Sequence, residues 1–172
     1  MIRKATAKDI DAICEIYSRI HTEEEQGRMV IGWARNVYPV KKTALEALDR
    51  DDLFVEDIDG LIVASGIINQ AQVPEYADCE WEYAADDTDV MVLHTLVVNP
   101  RQSGKGYARA FIEFYQNYAL SNKCHYLRID TQEKNQAARK MYEKFGFKEP
   151  GIVNCNFNGI DGVRLVCLEK KI

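Results

Sequence analysis

Residues 97–119 read VVNPRQSGKGYARAFIEFYQNYA, and how this stretch folds decides the rest. An apolar run from Asp89 to Val98 has the length and β-branched content of a strand, and Asn99-Pro100 stops it. From Tyr107 the period changes. Tyr107, Phe111, Phe114 and Tyr118 recur on one helical stripe, with Ala108, Ile112, Tyr115 and Ala119 beside them. Between strand and helix lies Arg101-Gln102-Ser103-Gly104-Lys105-Gly106. A helix beginning near Gly104 presents N–H groups that have no intrahelical acceptor, at the positive end of the helix dipole. Glycines let that backbone approach an anion with no Cβ in the way, and Arg101 and Lys105 add positive charge. Several successive donors suit a pyrophosphate better than a lone carboxylate. The plainer reading of two glycines is a turn that only links strand to helix.

Two established phosphate loops can be compared with this one. A P-loop requires GxxxxGK[ST], whereas Gly104-Lys105 is followed by Gly106 and lacks the upstream glycine. A dinucleotide fingerprint requires a third small residue where this chain has Arg109. Asp130, at the end of the next strand-like run, stands where a ribose-binding acid would. Only residues 131–172 follow it, too few for the second half of a doubly wound domain.

The chain has 172 residues, 47% of them hydrophobic and 28% charged, which predicts one domain over residues 1–172 with a substantial core. A net charge of −5 gives no general electrostatic footing for nucleic acid. Cys14, Cys79, Cys124, Cys155 and Cys167 form no CxxC pair and have no histidine at zinc spacing, so neither a metal nor a disulfide framework is expected. The opening MIRKATAKDIDAICEIY has no apolar core of signal-peptide length, and no stretch approaches the ~18 apolar residues of a membrane span. No membrane partner is expected, and the cytoplasm is the default location.

MIRKA reads as a strand. Thr6 and Asp9 then open a helix whose apolar face is Ile10, Ile13, Cys14, Tyr17 and Ile20. An irregular stretch with Trp33 and Tyr38 precedes a short helix over KKTALEALDR, with Ala44, Leu45 and Leu48 on its apolar face. Two strands flank Asp57-Ile58-Asp59-Gly60, a hairpin turn. After YLRID comes a helix over NQAARKMYEKF, with Ala138, Met141, Tyr142 and Phe145 inward and Gly146 as its left-handed stop. A hairpin over the last twenty residues closes the chain. The order β-α-α-β-β-β-α-β-α-β-β predicts an α/β (α+β) domain, a mixed sheet flanked by helices.

At these residues the chain resembles the GNAT superfamily of N-acetyltransferases. That family's loop, Arg/Gln-x-x-Gly-x-Gly/Ala, is met by Arg101, Gly104 and Gly106, and its downstream Asn-x-x-Ala-x-x-x-Tyr-x-x-x-Gly-Phe by Asn135, Ala138, Tyr142, Gly146 and Phe147. IRKATAKDIDAI and LHTLVVNP are similar too, so the likeness spans most of the chain, though residues 19–40 and 70–88 share no motif. Ser103 departs from the family's usual basic or amide residue, which affects a side-chain contact and leaves the backbone cradle intact.

The resemblance implies a mostly antiparallel sheet of about six or seven strands with a splayed central pair, acetyl-CoA as co-substrate, and no metal. The phosphates of CoA would sit on the N–H groups of residues 101–106 (Arg101, Gln102, Ser103, Gly104, Lys105, Gly106), with Tyr107 and Ala108 beyond. The pantetheine arm would pair with the backbone of Leu96, Val97 and Val98, as an added strand does. Asn135 would contact the cofactor or simply cap its helix. Tyr142 matches the family's usual acid on the thiolate side; as a residue it also suits a helix core.

Acyl transfer to an amine needs the neutral amine, and a lysine-like amine has a pKa near ~10.4. A base, a donor for the leaving thiolate and a donor for the oxyanion are therefore required, the last from a strand N–H near Leu96. His94 is the first choice of base, with Glu82 and Asp89 as rivals through water, or ordered water alone. Asp130 would orient the acceptor or bind backbone. Residues 71–90 hold seven acids and no Lys or Arg, which suggests a cationic acceptor drawn by charge, with Glu82, Tyr83, Trp33, Tyr38 and Trp81 around it; a solvated acidic loop is the plainer reading. The expected activity is acetyl transfer to a primary amine of a small molecule or peptide, in a ternary complex, by a possible homodimer paired through its C-terminal hairpin. A CoA-binding sensor without turnover and transfer of a longer acyl chain are the alternatives.

Overall fold

The computed structural model describes residues 1–172. In chain order its elements are β1 (Ile2–Lys4), α1 (Ile10–Glu25), α2 (Lys41–Asp49), β2 (Leu53–Ile58), β3 (Leu61–Asn69), β4 (Val90–Val98), α3 (Tyr107–Ser121), β5 (Tyr126–Gln132), α4 (Gln136–Lys144), β6 (Lys148–Phe157) and β7 (Ile160–Lys171). This is the order expected from the residue pattern. The strands form one seven-stranded sheet, β1-β2-β3-β4-β5-β7-β6. All its pairs are antiparallel except β4–β5.

Local chemistry sets several boundaries. The Asp9 carboxylate accepts from the Thr6 N–H at 2.7 Å and from its hydroxyl at 2.9 Å, so the first turn is capped as expected. Asp59-Gly60 and Asn158-Gly159 all have positive φ, the requirement of tight hairpin turns between right-twisted strands. The expected apolar face of α2 needs one correction. Ala44 and Ala47 are buried and Leu48 is half-buried, but Leu45 points to solvent, because the small alanines let the helix lie close on α1 and β2.

The alternation of β-strand side chains divides the core between the two faces of the sheet. Phe54, Met91, Leu93, Leu127, Ile129, Val166 and Leu168 meet α3 and α4 through Phe111, Ile112, Tyr115 and Tyr142. On the other face, Leu53, Val55, Ile67 and Val97 pack on α1 and α2. Further along that face, Val90, Val92, Val153, Leu165 and Cys167 are covered by Tyr76 and Cys79 of the β3–β4 connection. On α3 the most buried positions are Phe111, Ile112, Tyr115 and Ala119, while Tyr107, Phe114 and Tyr118 lie at the edge of the contact. The buried stripe is thus centred between the two rows read from the sequence.

Candidate active site

The site begins with a failure of strand pairing. β4 and β5 run parallel from Val90↔Tyr126 to Leu93↔Ile129, and there the pairing ends although both strands continue. The buried Tyr115 hydroxyl pins the closed end. It lies 2.6 Å from the Met91 carbonyl oxygen and 3.1 Å from that of Arg128, one on each strand. Beyond it, β4 follows β3 and β5 follows β7, so the strands part. A bulge in β4 accompanies the parting: Ser65 faces Val97 while Ile67 faces His94, an extra residue on β4, and Thr95 there has φ of 50°. For a β-branched residue that conformation costs about 1–3 kcal/mol and persists only where its surroundings impose it. The Thr95 hydroxyl is held by the Tyr38 hydroxyl.

A cavity of about 480 Å³ passes through this opening, lined by residues from both faces of the sheet. At one end stands the glycine loop, and the structure corrects which amides it offers. Pro100–Gln102 forms a 3-10 turn, so the N–H groups of Arg101, Gln102 and Ser103 are already bonded to Asn99 Oδ1, the Asn99 carbonyl and the Pro100 carbonyl. The amides of Gly104, Lys105, Gly106, Tyr107, Ala108 and Arg109 have no acceptor within the protein. The run of free amides is therefore 104–109, three residues further on than the expected 101–106. Gly104 and Gly106 have φ of 78° and 85°, and a Cβ on either would project into open space. These glycines serve the turn; no neighbour demands them. Lys105 Nζ donates to Gln102 Oε1 at 2.7 Å across the loop. Ser103 and Ala108 line the cavity, as do Leu96, Val97 and Val98 of the half of β4 that has left β5.

α4 supplies the next wall with Asn135, Ala138, Met141 and Tyr142. Asn135 caps the helix, its Oδ1 accepting from the Ala138 N–H at 3.2 Å. Tyr142 packs edge-on against Phe147 at 5.9 Å and lines the cavity, with no hydrogen bond from its hydroxyl to the protein. Burial, with a smaller contribution from Asp130, pushes its pKa well above the usual phenol range, so the hydroxyl keeps its proton.

Across the opening, on the α1–α2 face, stands Asp130. Its Oδ2 accepts from the Tyr76 hydroxyl at 2.7 Å, no hydrogen bond within the protein engages Oδ1, and the residue lines the cavity. Burial raises its pKa to about 6, against the opposing hydrogen bond from Tyr76. Tyr38, in the same wall, is raised to about 12 by burial. His94 is fixed differently. Its Nε2 lies 3.1 Å from both Asn69 Oδ1 and the Ala71 carbonyl, so Nε2 carries the proton it donates. Asn69 is held in turn by Asp52, which Arg50 grips. Burial lowers the His94 pKa to about 4, so the ring is neutral near pH 7 and a weaker base than Asp130.

The acidic run lies elsewhere. Glu82 pairs with Lys148 at 2.8 Å on the surface, and the Tyr83 ring packs on Tyr126. Neither lines the cavity, which corrects both placements expected from the sequence. The cause is a buried anchor: Arg128 lies 3.9 Å over the Trp81 ring and donates to Gln72, while Glu169 accepts from the Glu82 N–H, and together they bind the run to the β5–β7 ladder. Asp89 is no base either, since it accepts from the His125 N–H and ring Nδ1 at 2.7 Å at the closed end of β4–β5. Of the expected acceptor residues, Trp33, Tyr38 and Asp130 do line the cavity. Sequence reading missed Thr95, Tyr76 and the β6–β7 tip at Phe157, Asn158 and Ile160. Only the positive-φ demand of Asn158-Gly159 left a trace in the sequence; nothing there shows where that tip lands.

A mixed sheet opened at its one parallel pair, with helix amides at the mouth of the opening, is the N-acetyltransferase architecture. The sequence model described as the acetyltransferase (GNAT) family matches residues 10–147, and the chain belongs to that family. An uncharacterized N-acetyltransferase of Methanocaldococcus jannaschii is 25% identical over 158 residues, 88% of this chain and 62% of that protein; the chain thus spans less than two thirds of this relative. Streptothricin acetyltransferase of Escherichia coli is 38% identical over 64 residues, 37% of each chain. Among solved structures, a GNAT-family acetyltransferase from Streptococcus agalactiae superposes with a TM-score of 0.83 over 100% of this chain and 95% of its own, at 20% identity. A ribosomal-protein-alanine N-acetyltransferase from Brucella melitensis does so at 0.71, over 100% and 99%, at 19% identity. At such identities these likenesses show the fold. No helix is long and apolar enough to cross a membrane.

Proposed function

We propose that this protein transfers an acetyl group from acetyl-CoA to a primary amine of a small molecule or peptide, by direct attack with both substrates bound. The observation that carries the reading is one continuous cavity whose lining runs from Ser103 and Ala108, beside the free helix amides, to Asp130. The residues present fit the co-substrate: six free amides and two left-handed glycines facing open space suit a diphosphate, and the unpaired edge of β4 suits an extended amide-bearing arm. Acetyl-CoA, when bound, supplies an acyl thioester as the electrophile.

This chain's residues divide the remaining work. The amides of 104–109 grip the anion and fix its direction along β4, and Leu96 to Val98 guide the arm inward. Asp130 Oδ1 takes a proton from the incoming ammonium. Both charges are desolvated there, which favours the neutral pair of acid and amine. Tyr142, protonated at all working pH, donates a hydrogen bond toward the departing sulfur. A β4 main-chain N–H beside the Thr95 bulge is the donor for the oxyanion. His94 replaces neither group; it holds the β3–β4 connection through Ala71 and Asn69. Five free cysteines support work in a reducing compartment such as the cytoplasm. β6, at the sheet edge with Ile152 exposed, is the surface through which a homodimer would pair. The deciding experiment follows free-thiol release from acetyl-CoA with a mixture of primary amines. Amine-dependent release supports the reading; tight binding of acetyl-CoA with no release on any amine would make the chain a sensor.

A further inference from the structure

We infer that the acceptor is a monoamine carried on an apolar, ring-sized body, with no second charge close to the amine. The inference rests on the acetyl-transfer reading and concerns the half of the cavity beyond Asp130. That half is walled by Met29, Ile31, Trp33, Val73, Phe157 and Ile160, contributed by the α1–α2 connection, the β3–β4 connection and the β6–β7 tip. Trp33 and Tyr38 meet edge to face at 5.8 Å, so the two rings form one rigid corner. Two polar groups beside them are already engaged: Gln132 donates to the Gly32 carbonyl at 2.6 Å, and the Tyr38 hydroxyl is bonded to that of Thr95. An apolar body loses water against such a wall at no polar cost.

The charge inventory sharpens the choice. Among the lining residues, the ionic groups near neutral pH are Asp130, Glu23 and Arg28. Glu23 holds Arg28 with two hydrogen bonds of 2.6 Å, so that guanidinium is already neutralised. No lysine lines the cavity. One carboxylate therefore faces one ammonium, and a carboxylate or phosphate on the acceptor would meet no free cation. A second ammonium would meet no free anion in the lining, since Glu23 is taken by Arg28; Glu75, the acid of the run whose charge reaches Asp130, lies outside it. Buried charge without a partner is expelled. Free amino acids and polyamines are thus disfavoured by the same wall.

The test compares phenethylamine, phenylalanine, phenylalaninamide and spermidine on the full chain with saturating acetyl-CoA, and by calorimetric titration in the presence of CoA. The expected result is a kcat/KM for phenethylamine at least ~100-fold above phenylalanine and spermidine, with phenylalaninamide between them. Trp33→Ala should raise the phenethylamine KM about tenfold with kcat and acetyl-CoA affinity little changed. Transfer led by spermidine or phenylalanine, or an unaltered KM in Trp33→Ala, overturns the inference and leaves the acetyl-transfer reading standing. Selective binding of phenethylamine with no transfer to any amine upholds the pocket and removes the reaction. Neither binding nor transfer removes both.

Discussion

The two ends of the cavity are built in opposite ways. The cofactor end uses main chain: the amides of Gly104 to Arg109 and the bare edge of β4, all within a span of some twenty residues. The acceptor end uses side chains gathered from four separate segments: Trp33 and Tyr38, Val73 and Tyr76, Asp130, and the β6–β7 tip. On the proposed reading the first end takes a group that every member of such a family shares, so it needs only a turn and a helix start. The second end must discriminate, and discrimination comes from which side chains the fold brings together.

The sharpest way to break this contrast is Gly104→Val. A β-branched residue at φ of 78° is strained, and its side chain would occupy the approach to the amides. Acetyl-CoA affinity should fall at least ~100-fold by calorimetry, with the circular dichroism spectrum retained. Amine affinity alone would be a poor reporter, since the end it probes is untouched.

Asp130→Asn attacks the other end and should lower kcat by about 10²–10⁴-fold with acetyl-CoA affinity unchanged. In the wild type, kcat/KM should rise with pH through about 6 as Asp130 ionises, and that limb should vanish in the variant. Stability runs the other way. A carboxyl whose folded pKa is raised stabilises the fold below about pH 4 and loses that contribution as pH rises through about 6. The variant should therefore melt a few degrees higher than wild type at pH 8, an advantage that disappears at pH 4.

Tyr142→Phe should lower kcat roughly 10–100-fold while acetyl-CoA affinity stays within about twofold, measured by single-turnover and binding experiments. Gly32→Ala probes the acceptor wall: its Cβ would fall 1.9 Å from Gln132 Oε1 at a position with φ of 98°. It should raise the amine KM severalfold and leave acetyl-CoA affinity alone. The smallest effect is expected of His94→Ala, below about tenfold in kcat with the limb near pH 6 preserved, because the imidazole already titrates at about 4 and is engaged with Asn69 and Ala71. Loss of that limb would return the base to His94 and dissolve the division drawn between the two ends.

The contrast also explains what could be read in advance. Gly104, Gly106, Asn135 and Tyr142 were legible because each answers to a local rule: a positive φ, a free helix start, a cap, a helical stripe. The three-residue shift of the free amides was not, because the Pro100–Gln102 turn consumes amides that a bare sequence leaves free. Glu82 and Tyr83 misled because charge density says nothing of where a loop is tied, and Arg128 and Glu169 tie this one outward. His94 and Asp130 exchanged rank for a similar reason: unperturbed pKa values favour the histidine, while burial pushes the two toward about 4 and about 6.

The order of strands and helices, the hairpin turns and a helix start with free amides follow from the sequence alone, since periodicity, φ preference and unsatisfied amides are properties of neighbours along the chain. Where β4 leaves β5, which carboxylate lines the opening and which side chains wall the far half of the cavity were decided only by tertiary structure. Those depend on desolvation and on contacts between segments as far apart as Trp33, Asp130 and Phe157, and no local pattern encodes them.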